Sequence, residues 1–199
     1  MVVDKYFGSI YDLITTKIKQ FKFLLLPNFL LFINKKVLFE SLPIPAQLIL
    51  INGPGLLTFG INCNLGYKLG GRNRDGAIEL QCRARNSRII FGNNINTNNN
   101  IFICSQNLIK IGDNTLIGQN VSMTDFEAHG THPNKRNELG VIGEIIIGKN
   151  VWIGSNVTIL KNTNIGDNSI IATGSVVIGT FPANVIIGGI PAKIISNIL

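Results

Sequence analysis

Apolar residues recur at every sixth position between residues 147 and 177 without a break. Neither the 3.6-residue period of a helix nor the two-residue period of a strand places apolar side chains this way. A six-residue repeat is typical of a parallel β-helix, in which each hexad supplies one short strand and one turn. Each coil buries its inward residue only by stacking on the next, so the pattern predicts a prism-shaped solenoid. The repeating residues are all β-branched: Ile147, Ile153, Ile159, Ile165, Ile171 and Val177.

The same register continues more loosely toward the N-terminus. Glycine follows the repeating apolar residue at Phe59, Leu65 and Phe91, and residues 78–84 alternate apolar with polar as in a strand with one buried face. Further hexad positions are Thr97, Ile103, Ile111, Ile117 and Met123. We therefore expect a β-helix over residues 51–199, with a closing segment after Pro182. Residues 1–50 are expected to form a partly helical N-terminal cap that ends at Pro43 and Pro45.

The repeat stops between Met123 and Ile147, which predicts an excursion loop at about residues 124–146. Loops that interrupt a solenoid tend to lie on its binding face. This loop contains both histidines of the chain, His129 and His132, whose side chains are suited to general-base chemistry near neutral pH. Asp125 and Glu127 precede His129 closely enough for a carboxylate to hold the imidazole tautomer. The alternative is a solvated loop in which these charges only maintain solubility.

The composition and net charge of the chain limit the classes of ligand that it can be expected to bind. The chain of 199 residues has 45% hydrophobic and 15% charged residues and a formal net charge of +7. No basic stripe with interleaved aromatic residues is present, so nucleic acid is not favoured, whereas a phosphate-bearing small molecule or an anionic glycan fits the charge. Cys63, Cys82 and Cys104 show no CxxC spacing, and residues 1–12 lack a signal-peptide pattern. These features favour a cytoplasmic protein.

The segment FKFLLLPNFLLFI, residues 21–33, is strongly apolar. A bilayer span needs about 20 apolar residues, and Pro27 interrupts this shorter run. A packed helical cap or a contact between subunits is one interpretation. The other is peripheral attachment to the inner face of a membrane through residues 17–36, assisted by Lys17, Lys19, Lys22, Lys35 and Lys36.

The run from Ile145 to Ile195 resembles the left-handed β-helix, hexapeptide-repeat acyltransferases. The resemblance rests on the motifs VWIG, ATGSVV and GIPAK in this order, and it extends from about Gly92 to Lys193. The most similar branch contains the galactoside, maltose and nodulation-factor acetyltransferases and the O-acetyltransferases of bacterial surface polysaccharides. It implies a homotrimer with active sites shared by two chains and no metal.

The activity that the resemblance implies is transfer of an acetyl group from acetyl-CoA to a sugar hydroxyl of a bacterial surface glycan, such as O-antigen or capsule, or its precursor. The family's catalytic histidine lies about two dozen residues before the WIG tryptophan, which identifies His129 as general base, with Asp125 beside it. The acceptor asparagine of the galactoside enzymes corresponds to Asn98, although Asn96, Asn99 and Asn100 are close and such asparagines are often structural.

The resemblance also implies a CoA groove between neighbouring solenoids, lined by Trp152, Ser155, Thr173, Gly174 and Lys193, with Lys193 facing the phosphates. The chain departs from the family at Ala172-Thr173, where Gly-Ala is usual, and at Ile178-Gly179-Thr180, where Thr-Lys-Asp is usual. Lys161 replaces the usual proline and is a candidate to compensate for the lost lysine.

Three other functions are compatible with a β-solenoid. The γ-type carbonic anhydrases hold zinc with three histidines, whereas this chain has two. A non-enzymatic scaffold or ice-binding β-helix predicts regular threonine ladders and no excursion. N-acetylation of an amino-sugar nucleotide uses the same base and donor, so the residues do not separate it from O-acetylation.

Overall fold

The computed structural model describes residues 12–34, 36–72 and 75–198, which form a helical cap followed by a triangular solenoid. The cap consists of helix α1 over residues 12–20, a π-helical turn at Phe21–Leu25 and helix α2 at Phe29–Ile33. The short strands that follow lie on three walls, which we name A, B and C in the order in which the chain visits them.

Each wall is a ladder of parallel strands, one from each coil. Wall A contains β1 (Val37–Phe39), β4 (Leu56–Phe59), β7 (Arg88–Phe91), β10 (Leu108–Ile111) and β13 (Glu144–Ile147). Wall B contains β2 (Ile44–Pro45), β5 (Asn64–Leu65), β8 (Asn96–Thr97), β11 (Leu116–Ile117), β14 (Trp152–Ile153), β16 (Ile170–Ile171) and β18 (Val185–Gly189). Wall C contains β3 (Leu48–Asn52), β6 (Ala77–Cys82), β9 (Phe102–Ser105) and β12 (Ser122–Thr124). Two longer strands, β15 (Thr158–Ile165) and β17 (Val176–Phe181), pass from wall C to wall A.

The core is a stack of like residues, because the strands pair in register. Ile109 lies beside Ile89 on one side and Ile145 on the other, and all three are fully buried. Phe59 and Phe91 stack inside wall A with ring centroids 4.9 Å apart. The hexad positions between residues 147 and 177 are each 0–1% exposed, so the inward register read from the sequence is confirmed. The architecture is the expected left-handed parallel β-helix.

The turns at two of the three edges of the prism repeatedly contain an asparagine. At the edge between walls A and B, six asparagines adopt the left-handed conformation with φ between 54° and 61°: Asn62, Asn94, Asn114, Asn150, Asn168 and Asn184. Asn100, Asn120 and Asn156 do the same between walls B and C. Their side chains form ladders, as where Asn120 Nδ2 donates to Asn156 Oδ1 over 2.9 Å. Asparagine tolerates positive φ better than other residues with a Cβ, which explains its abundance.

The solenoid begins earlier than the sequence predicted. Residues 12–33 are helical as expected, but β1 starts at Val37 and pairs with β4, and β3 runs across the expected boundary at residue 50. Residues 1–11 of the expected cap lie outside the described residues. The cap is fixed by Leu24, which is fully buried, and by Asn28, whose side chain donates to Ile49 O and accepts from Ile51 N.

The far end of the solenoid is closed by a hairpin. After β18 the chain reverses, and β19 (Ala192–Asn197) pairs antiparallel with β18 on wall B. Phe181 and Ala192 are buried there. The closing segment expected after Pro182 is therefore a strand rather than a helix.

All three cysteines are shielded from solvent, Cys63 and Cys82 in the core and Cys104 beside the Gln81 side chain on wall C. Cys63, Cys82 and Cys104 are free and buried. Burial raises the pKa of Cys63 to about 11, of Cys82 to about 12 and of Cys104 to about 11. They are protonated thiols at neutral pH and act as small apolar side chains.

Candidate active site

The excursion is a folded loop that leaves the edge between walls C and A. It begins at Asp125, after β12, and ends at Gly143, before β13. An isolated bridge joins Phe126 to Ile142, and Glu127 N donates to Val141 O over 2.9 Å. The tip contains a 3₁₀ turn at Pro133–Lys135. The loop expected at about 124–146 is therefore present, and its own hydrogen bonds give it a defined shape.

His129 lies exposed on this loop with its tautomer fixed by the backbone. Its Nδ1 atom is 2.6 Å from the carbonyl oxygen of Arg136. A carbonyl oxygen only accepts, so Nδ1 carries the proton and Nε2 keeps a free lone pair in the neutral ring. Arg136 in turn donates from its guanidinium to Gly130 O over 3.1 Å, which closes the loop around the imidazole. The Nε2 atom is the one able to accept a proton.

His132 has the opposite arrangement. Its Nδ1 atom accepts the backbone N–H of Asn134 over 3.2 Å and caps the 3₁₀ turn. The neutral ring therefore carries its proton on Nε2, and its one free nitrogen is a donor. The two histidines are separated by two residues, but only His129 presents a basic nitrogen to solvent. This supports the choice of His129 over His132.

Asp125 does not orient His129, and the expected contact is wrong. The Asp125 side chain is fully buried. Its carboxylate oxygens accept hydrogen bonds from Ser105 Oγ over 2.6 Å, Gln106 N over 2.7 Å and Asn107 N over 3.0 Å. These three donors belong to the edge of the preceding coil. The Asp125 carboxylate therefore satisfies the hydrogen-bond donors of this turn. The imidazole of His129 is oriented by the Arg136 carbonyl instead.

Glu127 and Lys161 secure the base of the excursion. Lys161 Nζ lies 2.7 Å from Glu127 Oε1, and its side chain is only 16% exposed. The hydrogen bond from Lys161, together with one from Val141 N, lowers the pKa of Glu127 below its ordinary value. Lys161 is thus paired within the chain, and its compensation for a lost CoA-binding lysine stays a prediction.

An open depression of about 650 Å³ lies on the outer surface of wall B. It is lined by the predicted acceptor residue Asn98 and the predicted donor residue Trp152, together with Tyr67 and Leu116. Asn98 Oδ1 accepts the backbone N–H of Asn99 over 2.8 Å, which leaves its amide nitrogen free to donate. Trp152 and Tyr67 are 55% and 52% exposed. The depression combines aromatic faces with amide groups.

The other predicted donor residues continue upward from Trp152. Ser155 follows β14 and the exposed pair Thr173-Gly174 follows β16, both at the edge between walls B and C. Lys193 is exposed on β19. Strands β14, β16, β18 and β19 are successive neighbours, so Trp152 and Lys193 lie about 14 Å apart across the wall at the usual strand spacing, and Lys193 is displaced further along the strand because it pairs with Gly188. These residues trace one continuous strip.

The excursion that carries His129 leaves the solenoid away from this strip. In a triangular prism the edge between walls C and A lies opposite wall B, and the excursion leaves from that edge. No residue of the excursion is among the described residues that line the depression. Asn98, Trp152 and the donor strip therefore lie together on wall B, whereas the excursion that carries His129 leaves the solenoid at the opposite edge.

Comparison with known proteins places this geometry in a family. The sequence model of the protein family "Bacterial transferase hexapeptide (six repeats)" matches residues 144–179. A candidate lipopolysaccharide biosynthesis O-acetyl transferase, WbbJ, of Escherichia coli strain K12 is 35% identical over 138 residues, which are 64% of this chain and 70% of that protein. The chain belongs to the hexapeptide-repeat acetyltransferase family. The resemblance seen in the sequence is confirmed.

Solved structures of the family agree with this assignment. A hexapeptide-repeat acetyltransferase of Vibrio cholerae in complex with acetyl-CoA is 30% identical with a TM-score of 0.52, over 58% of this chain and 62% of that one. A galactoside acetyltransferase in complex with coenzyme A has the same identity and TM-score, over 78% of this chain and 66% of that one. The chain therefore spans less than two thirds of either solved chain.

Sequence reasoning missed part of the depression. Asn64, Asn96, Leu116 and Trp152 form one outward column on wall B, each paired in register with the next. Since each occupies the position just before an inward hexad residue, the column was readable from the repeat once the coils were aligned. Tyr67 had no such signal, because it lies in the loop after β5. The described residues contain no cluster of three or more His, Cys, Asp or Glu able to hold a metal ion.

The structural role of Asp125 predicts the effect of Asp125→Asn. The amide would place an NH₂ group against a backbone N–H in either orientation, so one buried donor loses its partner. We expect the free energy of unfolding to fall by about 3 kcal/mol, measured by urea denaturation at fixed protein concentration. Asp113→Asn is the matched control, because this half-buried side chain can keep its oxygen toward Asn93 N. A variant of unchanged stability with greatly reduced turnover would instead assign Asp125 to the chemistry.

Proposed function

We propose that the protein transfers an acetyl group from acetyl-CoA to a sugar hydroxyl of a bacterial surface glycan or its precursor. The observation that carries the proposal is the His129 imidazole, whose Nδ1 is held by the Arg136 carbonyl while Nε2 stays free. The relative WbbJ carries lipopolysaccharide biosynthesis in its name, and two solved relatives bind CoA or acetyl-CoA. These names support the choice of donor and of acceptor class.

The proposed reaction is a direct transfer. Nε2 of His129 removes the proton of the acceptor hydroxyl as its oxygen attacks the thioester carbon. The tetrahedral intermediate then collapses, the carbon–sulfur bond breaks and the CoA thiolate leaves, to be protonated by the imidazolium. The Arg136 carbonyl also stabilises the imidazolium, because its hydrogen bond from Nδ1 strengthens as the ring becomes charged. General-base catalysis of this type contributes about 10²–10⁴-fold.

The strip on wall B is suited to the donor. Lys193 supplies a cation for the phosphates of CoA, three strand positions away from Trp152 on the same wall. The exposed Gly174, with φ +76° and open space where a Cβ would lie, leaves room for a ligand close to the backbone. A long, flexible pantetheine arm can follow this strip from Lys193 to the depression that Trp152 lines. The reacting thioester would then be next to Asn98.

The depression is suited to a sugar acceptor. Sugars present apolar ring faces and hydroxyl edges, which aromatic side chains and amides respectively contact. Tyr67 and Trp152 supply the aromatic faces, and Asn98 supplies an amide donor. The openness of the depression to solvent fits an acceptor larger than a free monosaccharide. These features favour a glycan chain or a nucleotide-linked sugar over a small alcohol.

The separation of His129 from the depression supports a site shared between chains. A neighbouring copy whose C–A edge faces wall B would bring its excursion to the depression of the first chain. Repeating this heterologous contact with threefold closure gives a homotrimer with three equivalent sites. The proposed enzyme is therefore an assembly in which each active site takes its base from one chain and its ligand surface from the next.

Replacement of the base tests the reaction. We expect His129→Ala to lower kcat by about 10²-fold or more with little change in the KM for acetyl-CoA, since a base acts in the transition state. His132→Ala, which changes only a cap of the 3₁₀ turn, is the matched control and should keep kcat within a few-fold. Turnover is measured with a panel of polysaccharides and nucleotide sugars. Loss of activity in His132→Ala alone would mean that the loop is assigned in the wrong register.

Donor binding tests the strip independently of the acceptor. Lys193→Ala should weaken CoA binding in calorimetry by about tenfold, with a smaller dependence on salt, because one cation that faces phosphates is removed. Lys149→Ala is the control, since that exposed lysine pairs with Asp113 at the A–B edge, away from the strip. Equal CoA affinity in wild type and Lys193→Ala would place the phosphates elsewhere.

Mixed oligomers test the shared site. His129→Ala chains and chains with both Asn98→Ala and Trp152→Ala should each be nearly inactive alone. Co-expressed, they should recover about a quarter of wild-type activity, because a random mixture joins a native loop to a native wall at one interface in four. Mass spectrometry verifies that the assemblies are mixed. Mixed assemblies with no recovery would require base and depression to act within one chain.

A further inference from the structure

The outer face of the N-terminal cap is apolar and is covered by nothing among the described residues. Ile14, Ile18, Phe21 and Leu25 follow one another at helical spacing, and Leu26, Phe29, Leu30 and Ile33 extend the same surface. The first three of these are 52%, 58% and 58% exposed, and Leu30 is 72% exposed. A groove of about 500 Å³ runs between the π-helical turn and α2 and is lined by Phe21, Leu25, Leu26, Phe29 and Phe32. We name this surface the cap face.

The opposite side of the cap is firmly attached to the solenoid. Leu24 is fully buried, Gln20 donates to the carbonyls of Leu42 and Pro43, and Asn28 bonds to both Ile49 and Ile51. The cap thus already covers the open end of the solenoid. Terminal caps of repeat proteins normally turn a polar surface outward. Here the outward surface is apolar, which indicates a partner that removes it from water.

The charge around the cap face identifies the kind of partner. Residues 13–39 contain five lysines and no acidic residue, and so contribute five of the formal net charge of +7. Lys17 and Lys22 are exposed beside the apolar stripe. A second copy of the same face would bring like charges together, whereas an anionic surface would meet both the lysines and the apolar side chains.

The length of the cap helices fits a position in the interface between membrane and water. No helix within residues 12–34, 36–72 and 75–198 is long and apolar enough to cross a bilayer. A helix with one apolar face and flanking lysines instead lies in the plane of the membrane, with its apolar side chains between the headgroups. We propose that the cap face binds the surface of an anionic lipid bilayer, with Phe21, Phe29 and Leu30 inserted and Lys17 and Lys22 at the phosphates.

Vesicle flotation of the full chain tests the proposal. The probes are vesicles of phosphatidylcholine and of an equimolar mixture of phosphatidylcholine and phosphatidylglycerol. The wild type should float with the anionic vesicles and much less with the neutral ones, and high salt should release part of it. The double variant Ile18→Glu/Phe29→Glu should bind the anionic vesicles at least about tenfold more weakly. Lys17→Gln/Lys22→Gln should lose about tenfold on anionic vesicles.

Two controls keep the outcome clear. Ile178→Glu adds a charge at another exposed apolar residue, 41% exposed and on β17 at the opposite end of the solenoid, and should float like wild type. Circular dichroism and light scattering should give the same fold and mass for every variant. Equal flotation of Ile18→Glu/Phe29→Glu and wild type would overturn the proposal. So would a fall in oligomeric mass in that variant without vesicle binding by wild type, which would make the cap face a contact between copies.

Discussion

Hydrogen bonding between stacked coils is the constraint on which the rest of this structure depends. The strands of walls A and B take their partners from the coil above and the coil below, so no coil is stable alone. In-register pairing places isoleucine on isoleucine, as at Ile89, Ile109 and Ile145. It also places one turn above another, so the same backbone conformation must recur at each edge. At two edges the recurring conformation is the left-handed one, and asparagine adopts it in successive coils. The asparagine side chains also form hydrogen bonds with one another along the stack.

The same constraint explains which parts of the fold could be read from the sequence. Hexads with β-branched residues specify the inward register unambiguously, because only one face of each short strand is buried. The first coil was missed because Pro43 and Pro45 resemble terminators. Pro45 lies in β2, which pairs only with β5 and is the last strand of wall B, where a missing N–H on the open side costs nothing.

The sequence was sufficient to predict which residues belong to the candidate site, but not which groups these residues contact. His129, Asn98 and Trp152 stood out through the break in the repeat and the family resemblance. The partner of Asp125 was misassigned because proximity along a loop was taken for proximity in space. Register points elsewhere: Thr124 pairs with Cys104, so Asp125 lies over Ser105 and the turn that follows it. The Arg136 carbonyl that holds His129 is a backbone group within a folded loop, and a residue pattern gives no signal for it.

The burial of Cys63, Cys82 and Cys104 has a practical consequence. Since their pKa values are raised to about 11 or 12 and their side chains are buried, alkylating reagents have no ready target in the native protein. A cysteine introduced at a surface position would then be the one reactive thiol in each chain, without prior removal of the native ones. The wild-type background is thus already suited to site-specific fluorescent or spin labelling, through which the excursion and the solenoid can be followed separately in solution.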